Sequence, residues 1–81
     1  MTQDQLAGEV KSLAAKIIKL PEDKISLTDS LFNDLGVDSM LGVEIFAALD
    51  KKYGVNIPEK KLKHVATLND IVVLVRELKS R

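Results

Sequence analysis

Of the residues in this chain, Ser39 has the side chain and the position best suited to a covalent reaction. The run Asp34-Leu35-Gly36-Val37-Asp38-Ser39-Met40 leads from a loop into a helix-forming segment, which puts Ser39 in a first helical turn. Backbone N–H groups point outward there, and the positive end of the helix dipole favours an anion, so the hydroxyl suits a phosphate ester. Taken alone, a serine at a helix start is more often a cap or an ordinary first-turn residue.

Other reactive groups are scarce. No His or Lys lies close to Ser39 in the sequence, so any activation of its hydroxyl would have to come from another protein. The chain has no cysteine, and therefore no disulfide, thiolate ligand or thiol of its own. His64 is the single histidine and is more typical of an ordinary surface residue. We predict no catalytic residue. We also predict no metal site, since the acidic residues of the loop lack the alternating spacing of an EF-hand.

The segment before Ser39 predicts one helix and a long loop. Thr2 followed by Gln5 forms a capping box, and apolar residues then recur at helical spacing until Leu20-Pro21 stops the pattern. We expect a helix over about residues 3–20 and a loop over 21–38. The loop residues expected to pack on the core are Ile25, Leu27, Leu31, Phe32 and Leu35.

The segment from Ser39 onward predicts three more helices. Asp38 can cap a helix over about 39–53, which Gly54 would end in a left-handed conformation. A short helix over about 59–64 follows Pro58, and Thr67 with Asp70 caps a last helix over about 68–80. The expected fold is all-α, a four-helix bundle forming one domain over residues 1–81. A chain of 81 residues leaves room for one small core.

The second helix has two apolar strips. Ile45, Phe46, Leu49 and Tyr53 cluster on one side at 100° per residue, whereas Met40, Val43 and Ala47 form a separate strip bordered by Glu44 and Asp50. The first strip is expected to face the core. The second strip is either a surface for a partner or a second buried face, and spacing alone does not decide between them.

Composition and charge exclude several function classes. The formal net charge is zero, which argues against a dedicated nucleic-acid binder. Residues 1–50 hold nine acidic and four basic side chains, while residues 51–81 hold three acidic and eight basic ones, a polarity that could orient a charged partner. The start of the chain lacks the features of a signal peptide, and the longest apolar run, residues 71–75, is too short to cross a bilayer. We expect a cytoplasmic monomer.

The run from Asp34 to Met40 resembles the phosphopantetheine attachment motif of acyl carrier proteins, with Met40 in place of the usual Leu. The likeness covers essentially the whole chain, including the long first loop, the turn at residues 54–58, the short third helix and the capped fourth. It implies that Ser39, flanked by the motif residues Asp38 and Met40, receives 4'-phosphopantetheine from coenzyme A through a magnesium-using phosphopantetheinyl transferase. It also implies that the chain is not an enzyme but carries acyl thioesters between the synthase enzymes of fatty-acid, polyketide or related specialised acyl synthesis.

The resemblance also implies a partner surface, from which this chain departs in charge. Family members usually present acidic second and third helices, but Leu41 and Lys51 stand here where acids are common, and the third helix is basic. We therefore expect a specialised carrier with its own partners. The residues predicted for the partner surface are Met40, Leu41, Val43, Glu44, Ala47, Asp50, Lys60, Lys61 and Lys63.

A pocket for the carried chain is a further expectation. Family members often shelter acyl groups between helices, and the residues that periodicity turns inward here are Phe46, Leu49, Leu62, Val65 and Ile71. Because smaller aliphatic residues are common in the family at the position of Phe46, we expect its ring to make the pocket shallow.

Two alternatives stay open at this point. A peptidyl or aminoacyl carrier, such as the free-standing D-alanyl type, also fits, because Asp-Ser-Met occurs there as well. A four-helix interaction or DNA-binding module would have the same helix pattern, although no helix carries a basic recognition face.

Overall fold

The computed structural model describes residues 3–80, with side chains from residue 5 onward. It has three α-helices, α1 (Gln3–Ile18), α2 (Ser39–Tyr53) and α3 (Leu68–Lys79), and two 3-10 helices, η1 (Glu22–Lys24) and η2 (Glu59–His64). Within these residues no strand forms, and Ser30 makes an isolated antiparallel bridge with Thr67. The all-α prediction is confirmed, with α1, α2, η2 and α3 as the four expected helices.

The helix α1 ends at Ile18, two residues before the predicted end. Lys19 has a φ of 68°, and the N–H groups of Lys19 and Leu20 both donate to the Ala15 carbonyl, at 2.8 and 3.1 Å. A left-handed residue that closes a helix in this way is usually glycine, so a lysine there gives no sequence signal. The predicted cap Thr2 lies outside the described residues.

The helices α2 and α3 follow their predicted caps. Asp38 accepts a hydrogen bond from the Leu41 N–H at 2.8 Å, and Gly54 ends α2 with a φ of 65°. Thr67 and Asp70 form the capping box of α3, in which each side chain accepts from the other residue's N–H. Because these caps satisfy N–H groups that a helix start leaves unpaired, they fix where α2 and α3 begin.

The long loop is more structured than the sequence predicts, since it contains the single turn η1. Ile25, Leu31 and Leu35 are buried as expected, and Leu27 is half-buried. Phe32 is 41% exposed, so its predicted place in the core is wrong. The loop is tied to the start of α3 through the backbone, where the Leu31 N–H donates to the Ala66 carbonyl at 2.8 Å.

The core lies between the three α-helices and takes in the loop and η2. Every buried side chain of the described residues is hydrophobic. The helix α1 packs on both α2 and α3, whereas the backbone of η2 approaches α2 alone among the helices. The largest fully buried side chains are Leu31, Ile45, Leu49, Leu68, Ile71, Val10, Val72 and Val75. Within residues 3–80, no helix combines the length and the apolar character that a membrane span needs.

Candidate functional site

Ser39 is the first residue of α2 and is exposed. Its neighbour Asp38 directs its carboxylate to the Leu41 N–H, so the cap does not engage the serine. Among the residues that the structure describes, the Ser39 hydroxyl has no hydrogen-bond partner. The hydroxyl is therefore free to react at the positive end of a helix.

The segment before Ser39 is anchored at several points. Leu35 and Val37 are buried, and the Val37 N–H donates to the Leu31 carbonyl at 2.8 Å. Between them Gly36 has a φ of 68°, a left-handed conformation that strains other residues. The loop thus delivers Asp38 and Ser39 to the helix start in one fixed orientation.

A groove of about 410 Å³ lies beside Ser39, and we call it the serine groove. Its lining residues are Phe32, Ser39, Glu59, Lys60, Leu62 and Lys63. Leu62 sits so close to α2 that a Cβ added at Gly42 would lie 2.6 Å from the Leu62 Cδ1 atom. Gly42 therefore allows η2 to approach α2, which brings Lys60 and Lys63 beside Ser39.

Sequence reasoning missed Phe32 and Gly42 as residues of this site. An isolated glycine inside a helix pattern does signal a close approach, so Gly42 could have been singled out. Phe32 gave no such signal, because an aromatic residue in a loop is normally expected to pack inward.

The serine groove contains no histidine, and its one acid, Glu59, makes no hydrogen bond to the Ser39 hydroxyl. His64 lies in a separate hollow of about 250 Å³, which η2 forms with the outer face of α3. In the part of the chain that the structure describes, no group of three or more His, Asp or Glu side chains could hold a metal ion. Among the described residues, therefore, no base is hydrogen-bonded to Ser39 as it would be in a self-activated serine nucleophile.

The second strip of α2 is not buried. Met40 is 74% exposed, Ala47 and Glu44 are also exposed, and Leu41 and Val43 are half-buried. The alternative in which both strips of α2 pack in the core is wrong. The three lysines predicted for the partner surface, Lys60, Lys61 and Lys63, are exposed as well.

Asp50 has a structural contact that the sequence did not suggest. Its carboxylate accepts a hydrogen bond from the Ile57 N–H at 2.9 Å, which holds the turn between α2 and η2. Asp50 is half-buried, and its predicted contact with a partner stays a prediction.

The five residues predicted to line an acyl pocket, Phe46, Leu49, Leu62, Val65 and Ile71, are all buried. The structure does not bring them together around one open space. Leu62 lines the serine groove, Val65 lines the hollow beside His64, and the other three are packed in the core. A pocket between them stays a prediction that requires side chains to move.

Comparison with known proteins gives the family. A family model described as the phosphopantetheine attachment site matches residues 8–75. An acyl carrier protein of Petrotoga mobilis is 31% identical over 77 residues, which cover 95% of this chain and 91% of that protein. The chain belongs to the acyl carrier protein family. An acyl carrier protein of Rhodococcus erythropolis is 28% identical over 79 residues, covering 98% of this chain and 87% of that protein.

A solved structure shows the same fold as this acyl carrier protein. It is the NMR structure of the HMG-ACPI domain from the CurA module of Lyngbya majuscula, which aligns with a TM-score of 0.83 over 98% of this chain and 80% of that one. At 24% identity the likeness concerns the fold alone. Together with α1, α2, η2 and α3, it confirms the four-helix prediction.

Membership of the acyl carrier protein family establishes the general function. The chain is an acyl carrier, and its cofactor is 4'-phosphopantetheine. Members of the family work with phosphopantetheinyl transferases and synthase enzymes. The residues present fit the cofactor, because the exposed Ser39 hydroxyl, which has no hydrogen-bond partner among the described residues, stands beside a groove lined by two apolar side chains, two lysines and one glutamate. A non-carrier interaction or DNA-binding module is not supported.

Proposed function

We propose that Ser39 bears the phosphopantetheine arm, and that the chain carries acyl groups on that arm without catalysing any step itself. The exposed hydroxyl of Ser39 at the start of α2 is the observation that carries this proposal. The bound arm supplies the thiol that forms thioesters, a group that this cysteine-free chain lacks.

The residues around Ser39 explain why a phosphodiester is tolerated there. Unpaired N–H groups of the first helical turn and the helix dipole both favour an anion. During attachment the Ser39 Oγ bonds to the pantetheine-side phosphorus of the coenzyme A pyrophosphate. The bond from that phosphorus to the bridging oxygen breaks, and adenosine 3',5'-bisphosphate leaves with that oxygen. The hydroxyl proton passes to a base of the transferase, because no acceptor among the described residues is hydrogen-bonded to the Ser39 hydroxyl.

The proposal is tested by incubating the unmodified chain with coenzyme A, magnesium and a promiscuous phosphopantetheinyl transferase, followed by intact mass measurement. We expect one arm on the wild type and none on Ser39→Ala. Ser80→Ala is the matched control, because Ser80 is also exposed at a helix end, and it should gain one arm. A wild type that never gains the arm would refute the proposal.

The same modified chain can be offered to a panel of enzymes that activate fatty acids or amino acids. We expect thioester formation with acyl groups, in line with the relatives named acyl carrier protein. Loading with amino acids alone would assign the chain to the aminoacyl carriers, for which Asp38-Ser39-Met40 is equally suitable.

The partner surface of this proposal combines the exposed strip of α2 with the basic helix η2. Transferase and synthase enzymes would contact Met40, Leu41, Val43, Glu44 and Ala47, with the lysines of η2 at the side. Like charges across an interface weaken association, so these lysines would select against enzymes with basic docking patches. A cytoplasmic location for these encounters also stays a prediction.

Charge reversal tests that selection. The triple variant K60E/K61E/K63E should improve turnover by a general fatty-acid synthase enzyme at low salt, and the gain should fade as salt is added. The variant K16E/K19E/K24E makes the same charge change on three other exposed lysines and should give no gain. Equal turnover by both variants would show that η2 does not select partners.

The predicted acyl shelter is tested separately. Because Phe46 fills the interior behind α2, a short acyl group should raise the melting temperature more than a long one. Phe46→Val should shift the optimum toward longer chains. An optimum that ignores this substitution would show that the carried chain does not lie there.

A further inference from the structure

Two lysines of η2 face the serine that is proposed to bear the arm. Lys60 and Lys63 both line the serine groove with Ser39. A 3-10 helix has three residues per turn, so residues 60 and 63 lie one above the other on the same side. Neither lysine has an ion-pair or hydrogen-bond partner among residues 3–80. Two cations without partners thus stand beside the attachment hydroxyl.

The third lysine of η2 lies elsewhere. Lys61 lines the hollow on the other side of η2, together with His64, Asp70 and Glu77. The period of three also explains this, because residues 61 and 64 share a side of the helix. The basic character of η2 is therefore divided between two separate surfaces, and only Lys60 and Lys63 face Ser39.

The rest of the serine groove is apolar apart from one acid. Leu62 and Phe32 provide the apolar lining, and Glu59 is the single acidic residue. Two lysines and one glutamate leave one positive charge, which a single phosphodiester would neutralise. The volume of about 410 Å³ lies within the range of about 300–1,000 Å³ that is typical of small-molecule sites.

We propose that Lys60 and Lys63 bind the phosphodiester of the arm and hold the arm in the serine groove, with its geminal dimethyl group against Phe32 and Leu62. This inference rests on the proposed attachment at Ser39. The groove offers a partner for each group of the arm, two lysines for the anion next to the serine and two apolar side chains for the dimethyl segment that follows it. Tethering to Ser39 makes the contact intramolecular, so weak ion pairs suffice to populate it.

The experiment compares the apo and holo forms of three proteins: the wild type, K60Q/K63Q and the control K51Q/K61Q. Each double variant removes two exposed lysine charges, but Lys51 and Lys61 lie outside the serine groove. Intact mass and peptide fragmentation first establish that each holo sample bears one arm and that the arm is on Ser39. Melting temperatures are then measured at low salt and in about 0.5 M salt, where ion pairs of exposed groups are largely screened.

At low salt, attachment of the arm should raise the melting temperature of the wild type and of K51Q/K61Q by about 3 °C more than that of K60Q/K63Q. The difference should disappear at high salt. Nuclear Overhauser contacts between the methyl protons of the arm and the Phe32 ring should be present in the wild type and the control, and weakened in K60Q/K63Q. This contact shows where the arm lies and does not depend on the activity of any partner enzyme.

Equal melting shifts in all three proteins, with no contact between the arm and Phe32, would overturn the inference while leaving the attachment at Ser39 intact. Holo chains loaded with a succinyl or a butyryl group distinguish binding of the phosphodiester from binding of a cargo carboxylate, because only the succinyl group has a carboxylate. If the lysines matter only in the succinyl form, they bind a cargo carboxylate and the inference is wrong. An arm found on a residue other than Ser39 would instead refute the proposed function, and the inference with it.

Discussion

The α-helical bundle and the end of the molecule around Ser39 are built in different ways. In the bundle, Val10, Leu49, Leu68 and Val75 are fully buried between α1, α2 and α3. Around Ser39, the large side chains of Phe32 and Met40 lie exposed on the surface. The difference indicates that the site is a surface presented by the loop and η2, whose other side chains, such as Leu31 and Leu62, pack in the core.

The contacts that hold the two regions also differ. At the far end of α2, the Tyr53 hydroxyl donates to a Glu9 carboxylate oxygen at 2.8 Å, and Lys79 of α3 lies 5.1 Å from the Tyr53 ring centre. These side chains join all three α-helices. At the Ser39 end, the loop is held by backbone bonds, such as the Asn69 N–H to the Leu27 carbonyl at 3.0 Å. The loop also buries Leu31, Leu35 and Val37 in the common core.

The largest expected effect comes from a core substitution in the bundle. Leu49→Ala should lower the free energy of unfolding by about 3 kcal/mol, because it leaves a cavity at a fully buried position. Phe32→Ala should lower it by less than about 1 kcal/mol, because the ring is already partly in water. Urea unfolding of both variants measures the difference. Equal losses would show that the Ser39 end is as strongly packed as the bundle.

The helix caps should give the next largest effect. Asp70 accepts hydrogen bonds from the N–H groups of Ala66 and Thr67, whereas Asp38 accepts from Leu41 alone. Asp70→Ala should therefore cost about 2 kcal/mol of unfolding free energy and Asp38→Ala about 1 kcal/mol. Conservative Asn substitutions at both positions are the controls, because an amide oxygen can still accept. The reverse order of losses would contradict the account.

Alanine substitutions at two helical glycines should change the free energy of unfolding in opposite directions. A Cβ at Gly8 of α1 would meet nothing within 4 Å, so Gly8→Ala should stabilise the fold by about 0.5–1 kcal/mol. At Gly42 the same change would force Leu62 to move, and overpacking costs about 1–3 kcal/mol, so Gly42→Ala should be destabilising. Equilibrium unfolding checks both. Stabilisation by both substitutions would mean that η2 moves away from α2 at little cost.

The smallest expected effect is a pH dependence at the far end of the bundle. Burial raises the pKa of the Tyr53 hydroxyl above its usual value of 10.0, and the hydrogen bond to Glu9 and the Glu9 charge add to this. A raised pKa favours the protonated form in the folded state, so its contribution to stability is complete below about pH 10 and falls as the pH rises further. Unfolding free energies between pH 9 and 11 should decline more steeply in the wild type than in Tyr53→Phe. Identical slopes would contradict this.

The parts of the fold that were predictable from sequence are marked by residue types that favour one local conformation. Asp38, Gly54, Thr67 and Asp70 are types that helix ends favour, so α2 and the start of α3 lie where expected. The end of α1 was not predictable, because Lys19 takes a left-handed conformation that its type does not favour.

The site was only half predictable for a similar reason. Ser39 stands in a local motif, whereas the serine groove depends on the contact between Leu62 and Gly42, which are twenty residues apart in sequence. Periodicity places Phe46 and Leu49 inside, but it does not reveal whether open space lies between them. Long-range packing decides both the groove and the exposed position of Phe32.

The most direct test of the account is to locate the arm within the modified chain. The holo protein is digested with a protease that cleaves before Asp, because trypsin would leave Ser26, Ser30 and Ser39 in one peptide. Tandem mass spectrometry should find the phosphopantetheine on the peptide that begins at Asp38 and contains Ser39, with fragment ions assigning it to that residue. The peptides that contain Ser12, Ser26, Ser30 and Ser80 should be unmodified. An arm on any of these other serines would contradict the central claim that the start of α2 is the attachment site.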